Sequence, residues 1–306
     1  MSKNGGAISR FFTKLWGVGK ILFKVKKGDV LFLQYPMKKF YKISCTFAHW
    51  KGAKVMTIIH DLGAFRRKKL TPGKENKRLD KTDFLIVHNE RMKEHVLRHG
   101  FKGGIHCLGI FDYLSAADLK TYVSPHPQWQ VLYAGGLSMR RNAFLYSLHE
   151  VMVGWCMELY GNGLDTEKAK DWQHIHYHGF VDSEELIANA EADFGLVWDG
   201  DSVDECSGNW GEYLKINNPH KTSCYLRAHI PVIVWKQAAM AAFVEKNGVG
   251  IAVDSLKDIG EALRQVSAEE YQRLKANASR IGDLIGHGHY VMEGIHAGMA
   301  FLEQKK

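Results

Sequence analysis

Short apolar runs separated by helix-length segments set the rhythm of this chain. In the first half the runs are 29–35 (DVLFLQY), 54–60 (KVMTIIH), 83–88 (DFLIVH) and 104–109 (GIHCLG). The second half repeats the scheme at 129–134, 155–160, 175–178, 193–198, 231–235 and 250–253. Such near-continuous runs predict strands buried on both faces, hence parallel sheets covered by helices. The segments between them carry helix signals. Ser183 reads as a cap followed by two acids over 183–190. Asn218 reads as an N-cap and Pro219 as the first helical residue of a segment closed by Pro231. The reading is two Rossmann-like, doubly wound α/β domains, 1–125 and 126–306, with a linker at 124–127 (SPHP). Their strand carboxyl ends are expected to face each other across a cleft, and the last helix is free to cross back to the first domain.

Composition sharpens this picture. The 306 residues, 45% hydrophobic, suffice for two cores. Five cysteines lie far apart, at 45, 107, 156, 206 and 224, with no C-x-x-C spacing. That excludes a zinc ribbon or a disulfide framework, and Cys107, Cys156 and Cys224 read as small core residues in a reducing cytosol. No stretch approaches the ~18 apolar residues of a membrane span, and no signal-peptide pattern is present. A cytoplasmic chain is expected.

The net charge of +8 hides an asymmetry. Residues 1–125 hold 25 Lys+Arg against 9 Asp+Glu, a balance of +16, and 126–306 hold 16 against 24, a balance of −8. A basic half suits nucleic acid, anionic lipid or a phosphorylated substrate. No nucleic-acid motif accompanies it, so nucleic acid is set aside as a partner. The stretch 10–29 (RFFTKLWGVGKILFKVKKGD) interleaves Phe11, Phe12, Trp16, Leu22 and Phe23 with five lysines and one arginine. It reads either as a core-packed helix or as an amphipathic basic helix able to lie on an anionic leaflet.

Candidate chemistry gathers after the strands of the second half. Glycine and polar residues cluster at 135–141 (GGLSMRR), 161–163 (GNG), 179–182 (GFVD) and 199–202 (DGDS), where doubly wound folds bind ligands. The donor-rich start of the helix at 219–223 is suited to an anion. Lys221 at that position opposes the helix dipole unless something anionic binds there. Lys221, Thr222 and the helix N–H groups are expected to cradle a diphosphate, with Arg140 or Arg141 as a second cation. Asp199-Gly-Asp201 matches the D-x-D of metal-dependent enzymes, but a lone three-residue pattern is weak. Asp199 is read as a polar lining residue and no metal is expected. In the first half, His60 and Asp61 end a strand. Asp61 is the candidate general base, His60 the second choice, and His88 and Glu90 weaker ones. The remaining histidines, His174, His176 and His178 among them, read as solvent-facing strand positions.

These residues reach a resemblance. The segment FGLVWDGDSVDECSGNWGEYLKINNPHKTSCYLRAHIPVIVW (194–235) resembles the donor-binding half of a bacterial family of two-domain, GT-B-type glycosyltransferases. The likeness is greatest to β-1,6-galactofuranosyltransferases of O-antigen assembly. The wider group includes glucosyltransferases that extend GlcNAc on serine-rich-repeat adhesins. DVLFLQYPM (29–37), IIHDL (58–62), VHNERM (87–92), IFDYLS (110–115) and YAGGLS (133–138) extend the resemblance over about residues 29–290.

The resemblance implies a UDP-sugar donor in the C-terminal domain and an acceptor on the N-terminal one, with no cofactor and no metal. It puts Lys221 and Thr222 on the diphosphate and Phe180 at the uracil. Tyr213 and Asn217 would line the donor site, with Ser138, Gly161, Asn218 and His220 around them. The activity implied is inverting transfer of galactofuranose from UDP-galactofuranose to a sugar hydroxyl of a surface polysaccharide or lipid-linked oligosaccharide. The alternatives are a UDP-glucose-dependent transferase extending an adhesin glycan, or a UDP-sugar-binding subunit without catalysis. An anionic membrane surface and a second copy of the chain stand among the expected partners, with the protein peripheral at the inner face of the membrane. The family pattern usually has one more strand and a glycine-containing loop near the start; Gly5 and Gly6 are read as the remains of that loop.

Overall fold

In the computed structural model, residues 7–37, 40–66, 70–120 and 127–304 are described. Gly5, Gly6 and most of the expected linker at 124–127 lie outside them. The chain divides into two compact units, Met1–Leu108 with Glu293–Lys306, and Gly109–Met292. The division falls at 108/109 rather than 125/126, and its cause is local. Ile110 is wholly buried in the core of the second unit, and Asn218 Nδ2 donates to the Gly109 carbonyl at 2.8 Å.

The first unit holds a parallel sheet of β1 (Val30–Tyr35), β2 (Lys54–Ile59), β3 (Phe84–Val87) and β4 (Gly104–Cys107), in that spatial order. Helices α1 (Ala7–Lys24), α2 (Tyr41–Trp50), α3 (Gly63–Arg66), α4 (Pro72–Leu79) and α5 (Glu90–Arg98) connect and flank the strands. The expected apolar runs are these strands because β2 and β3 are buried almost throughout. β1 is an edge strand whose alternate residues Phe32 and Gln34 are exposed.

The second unit holds six parallel strands: β5 (Trp129–Gly136), β6 (Trp155–Asn162), β7 (Ile175–Gly179), β8 (Phe194–Val197), β9 (Val232–Trp235) and β10 (Gly250–Val253). Their order is β10-β9-β8-β5-β6-β7. The direction of winding reverses between β5 and β8, which are paired through Val131↔Phe194 and Leu132↔Gly195. This is the topological switch point of a Rossmann-like sheet. Both faces are packed. Val131, Tyr133, Phe194, Leu196, Ile233 and Trp235 enter one cluster, and Leu132, Val197, Val232 and Val234 enter the other. The period-2 alternation of Cβ directions sends neighbours to opposite cores, so every position must be apolar.

The helices of this unit are α6 (Leu145–Leu148), α7 (Thr166–Ala169), α8 (Ser183–Asn189), α9 (Gly208–Leu214), α10 (His220–Arg227), α11 (Ala241–Asn247), α12 (Ile259–Gln265) and α13 (Ala268–Gly286). A last helix, α14 (His289–Glu303), follows. Its later residues pack in the first unit, where a Cβ on Gly294 or Gly298 would meet Ile86 or Met56 within 3 Å.

Two caps lie one residue from their expected places. Asp182, not Ser183, caps α8, accepting from Glu185 N at 3.0 Å. Pro219 is the N-cap of α10, not its first helical residue, because its ψ of 136° is extended. Cys156 and Cys224 are buried as expected, while Cys107 is half-buried.

Candidate functional site

The switch point of the second unit gathers most of the expected donor residues. β5 ends on Gly135-Gly136, and the chain then turns through Ser138, whose carbonyl accepts from Arg141 N and Asn142 N at 2.9 and 3.0 Å. Asn142 is fully buried; its Nδ2 donates to Gly136 O at 2.6 Å and its Oδ1 accepts from Gly200 N at 3.4 Å. It thereby clips the loop after β5 to the loop after β8. Sequence reasoning missed Asn142, because its partner lies 58 residues away. Gly161 permits the close approach of β6. Its φ is 143°, and a Cβ there would stand 1.8 Å from the Gly135 carbonyl oxygen.

Above these loops lies a pocket of about 560 Å³. Ser138, Arg140 and Arg141 line it from the loop after β5, Gly200 and Asp201 from the loop after β8, and residues 207–210 from the start of α9. The Arg141 guanidinium stacks on the Trp210 ring at 4.5 Å from its centroid, which fixes a planar cation on one wall. Arg140 is exposed. Two guanidinium groups, a serine hydroxyl and glycine backbone form a surface suited to an anion. The signal that could have found Trp210 and Asn209 was their place in the glycine-rich segment after β8.

Lys221 does not line that pocket. Its ammonium donates to Tyr133 OH at 2.8 Å, to Asp199 Oδ1 at 3.0 Å and to the Trp198 carbonyl at 3.1 Å. All three protons of the head group are thus committed beneath the switch point. Burial lowers the Lys221 pKa, and Asp199 opposes that shift. Asp199 is itself buried, so the two carboxylates of the D-x-D diverge: Asp199 points to Lys221, while exposed Asp201 lies in the pocket lining. Among the described residues no cluster of three His, Cys, Asp or Glu side chains is arranged to hold a metal.

Helix α10 begins beside this pair. Pro219 makes no side-chain cap hydrogen bond at the start of α10. The Thr222 and Ser223 hydroxyls are buried with no hydrogen-bond partner, as is Asn217 Oδ1. A buried polar group left unpaired costs about 1–3 kcal/mol, which marks the helix start as a place built for something other than stability. Gly195 in β8 lets the helix sit against the sheet, since a Cβ there would lie 2.4 Å from the Tyr225 ring. Tyr225 OH in turn accepts from Ala134 N at 2.8 Å and holds the end of β5.

Other expected residues fall elsewhere. Asn218 is buried and serves the Gly109 carbonyl. His220 stacks on Phe111 with ring centroids 4.5 Å apart. Tyr213 is buried within α9. Phe180, just past the end of β7, is 64% exposed. His176 and His178 are exposed, as expected, but both pair with Glu158.

In the first unit, His60 and Asp61 follow β2 directly, at its carboxyl end. Burial lowers the His60 pKa, and Asp61 opposes the shift. The start of α3, just after them, is held by Glu75, a nearly inaccessible residue of α4. Its Oε1 accepts from Tyr35 OH and Gly63 N, both at 2.8 Å, and its Oε2 from Ala64 N at 2.9 Å. The buried His88 Nε2 donates to the Ile59 carbonyl at 2.9 Å and pins the strand end itself. His88 is therefore a support of this strand end, while Glu90 lies on the exposed start of α5, paired with Lys93.

The class follows from this frame. Solved structures share the fold: the lipopolysaccharide outer-core galactosyltransferase WaaB in its apo form, with a TM-score of 0.60, 14% identity and coverage of 95% of this chain and 81% of that one. Sucrose-phosphate synthase from Thermosynechococcus elongatus gives 0.56, 14%, and 90% and 73%. The fold is that of the GT-B glycosyltransferases, and the protein is a glycosyltransferase.

The chain belongs to the glucosyltransferase 3-like family. The family's N-terminal domain matches residues 3–110 and its C-terminal domain residues 131–297. The chain is 33% identical over 289 residues to the β-1,6-galactofuranosyltransferase WbbI of Escherichia coli (strain K12), covering 94% of this chain and 83% of that protein. To glucosyltransferase 3 of Streptococcus gordonii it is 25% identical over 279 residues, covering 88% and 79%.

Proposed function

We propose that the protein transfers galactofuranose from UDP-galactofuranose to a sugar hydroxyl of a polysaccharide or lipid-linked oligosaccharide precursor, with inversion and without a metal. The observation that carries the nucleotide-diphosphate part is the convergence at one switch point of the Arg140/Arg141 pocket with the start of α10, where the Thr222 and Ser223 hydroxyls are buried without a hydrogen-bond partner. The choice of sugar rests on the 33% identity to a galactofuranosyltransferase.

In this reading the diphosphate lies against the first turn of α10 and the two arginines, with Thr222 donating its free hydroxyl. Phe180 stacks on the uracil. As the bond between the anomeric carbon and the diphosphate lengthens, the carbon becomes oxocarbenium-like and negative charge grows on the leaving UDP. Fixed cations and helix N–H groups stabilise that charge. Asp61 takes the proton of the acceptor hydroxyl as its oxygen attacks the anomeric carbon. Lys221 acts through the backbone it pins.

The test is turnover of UDP-galactofuranose beside UDP-glucose, with and without EDTA, for the wild type and Asp61→Asn. Turnover of the galactofuranosyl donor that survives chelation is expected, with a loss of about 10²–10⁴-fold in Asp61→Asn. UDP affinity by calorimetry should hold in that variant. Preference for UDP-glucose would move the assignment toward the Streptococcus gordonii relative. Collapse in EDTA and rescue by Mn²⁺ would make Asp201 a ligand.

A further inference from the structure

Helix α1 carries two apolar stripes, one of them far more exposed than the other. Val18 is buried and Ile21 and Val25, just past the helix end, are half-buried, and α1 packs against α2. Another side presents Phe12, Leu15, Trp16, Gly19 and Phe23, spaced at i, i+3, i+4, i+7 and i+11, which is one stripe of an α-helix. Phe12, Trp16 and Phe23 are 61%, 68% and 85% exposed. Single exposed apolar residues are ordinary, but three exposed aromatics on one helical stripe mark a surface that meets something.

The charge around the stripe says what. Residues 1–28 contain six lysines and one arginine and no aspartate or glutamate. Lys20, Lys24, Lys26 and Lys27 are exposed beside or just beyond the stripe. A second copy packed stripe on stripe would bring two sets of lysines together. No helix among the described residues is long and apolar enough to cross a membrane, so α1 does not enter as a span. Apolar anchors beside a cationic flank fit the headgroup layer of an anionic bilayer, where rings sink below the phosphates and ammonium groups meet them.

We propose that α1 docks the protein on the surface of a membrane rich in anionic lipid. The inference is independent of which sugar is transferred. Its test uses the full chain in flotation with phosphatidylcholine vesicles prepared with and without phosphatidylglycerol. Binding is expected to the anionic vesicles and to be weak on the neutral ones. Trp16→Ser with Phe23→Ser should lower partitioning by roughly tenfold, with circular dichroism unchanged because both side chains lie mostly in solvent. Lys20→Glu with Lys24→Glu should remove the preference for anionic vesicles. Wild-type protein that stays off anionic vesicles, or aromatic variants that bind as well as wild type, would overturn the proposal. A wild-type dimer that the aromatic variants convert to a monomer, without lipid binding in either, would assign the stripe to a second copy instead.

Discussion

Lys221 is a buried cation of the second unit, held by the protein's own groups. Its three donors are spent on Tyr133, Trp198 and Asp199, so a phosphate oxygen could be met only by releasing one of them. What the pair fixes is the junction of β5 and β8: a Cβ on Gly135 would rest 3.4 Å from the lysine's Cε, and Asp199 begins the loop leading to the pocket. Lys221→Met leaves a buried carboxylate without its partner, which costs about 3–5 kcal/mol, and both stability and UDP affinity should fall. Adding Asp199→Asn removes the stranded charge. Stability by denaturant titration should then largely return, and UDP affinity should recover to within about threefold of wild type, roughly 0.6 kcal/mol. A double variant that folds but still binds UDP weaker by about 1.5–3 kcal/mol, the range for a hydrogen bond to a charged group, would put the ammonium on the diphosphate after all.

At the scale of elements, the same separation between holding and reacting recurs in the first unit. The Glu75 carboxylate of α4 ties down the start of α3, two residues after Asp61. Glu75→Gln keeps an acceptor for Tyr35 but sets an amide N–H₂ against a backbone N–H. A loss of about 1–3 kcal/mol in stability is expected, with kcat reduced and UDP affinity unchanged. An altered UDP affinity with normal kcat would show that this carboxylate does not position the Asp61 loop.

The strands were legible because burial on both faces leaves no room for polar residues, and that writes itself into runs such as FLIV at β3. The glycine and arginine loops were legible as strand exits. Caps were misplaced by one residue because Asp182 and Ser183 are both good caps, and only backbone dihedrals choose between them. The motif IFDYLS was legible as a family mark but not as a strap: Phe111 stacks on His220, and Asp112 accepts from Tyr290 N and Val291 N at 3.1 and 2.6 Å. Asn142, Glu75 and the Asp199–Lys221 pair were hidden for one reason. Each is defined by a partner that the chain brings near only by folding.

At the scale of the molecule, the division into units makes the charge asymmetry larger. The unit of 1–108 with 293–306 holds 26 Lys+Arg against 9 Asp+Glu, a balance of +17, and the unit of 109–292 holds 15 against 24, a balance of −9. The basic unit carries α1 and the candidate base, and the acidic unit keeps Arg140 and Arg141 in a local pocket. The proposed long-range attraction to an anionic surface and the proposed short-range capture of a nucleotide would then be separate electrostatic problems, and salt would tell them apart. The screening length shrinks from about 10 Å at 0.1 M to about 3 Å at 1 M, which weakens a diffuse field far more than contacts within a pocket. Turnover should be compared across a sodium chloride series on two presentations of one acceptor, a short soluble form and a form embedded in anionic vesicles. The vesicle-presented reaction is expected to fall steeply with salt while the soluble one changes little. Equal salt dependence on both presentations would mean that the basic unit's charge serves the acceptor's own headgroup or the donor, and not a membrane surface.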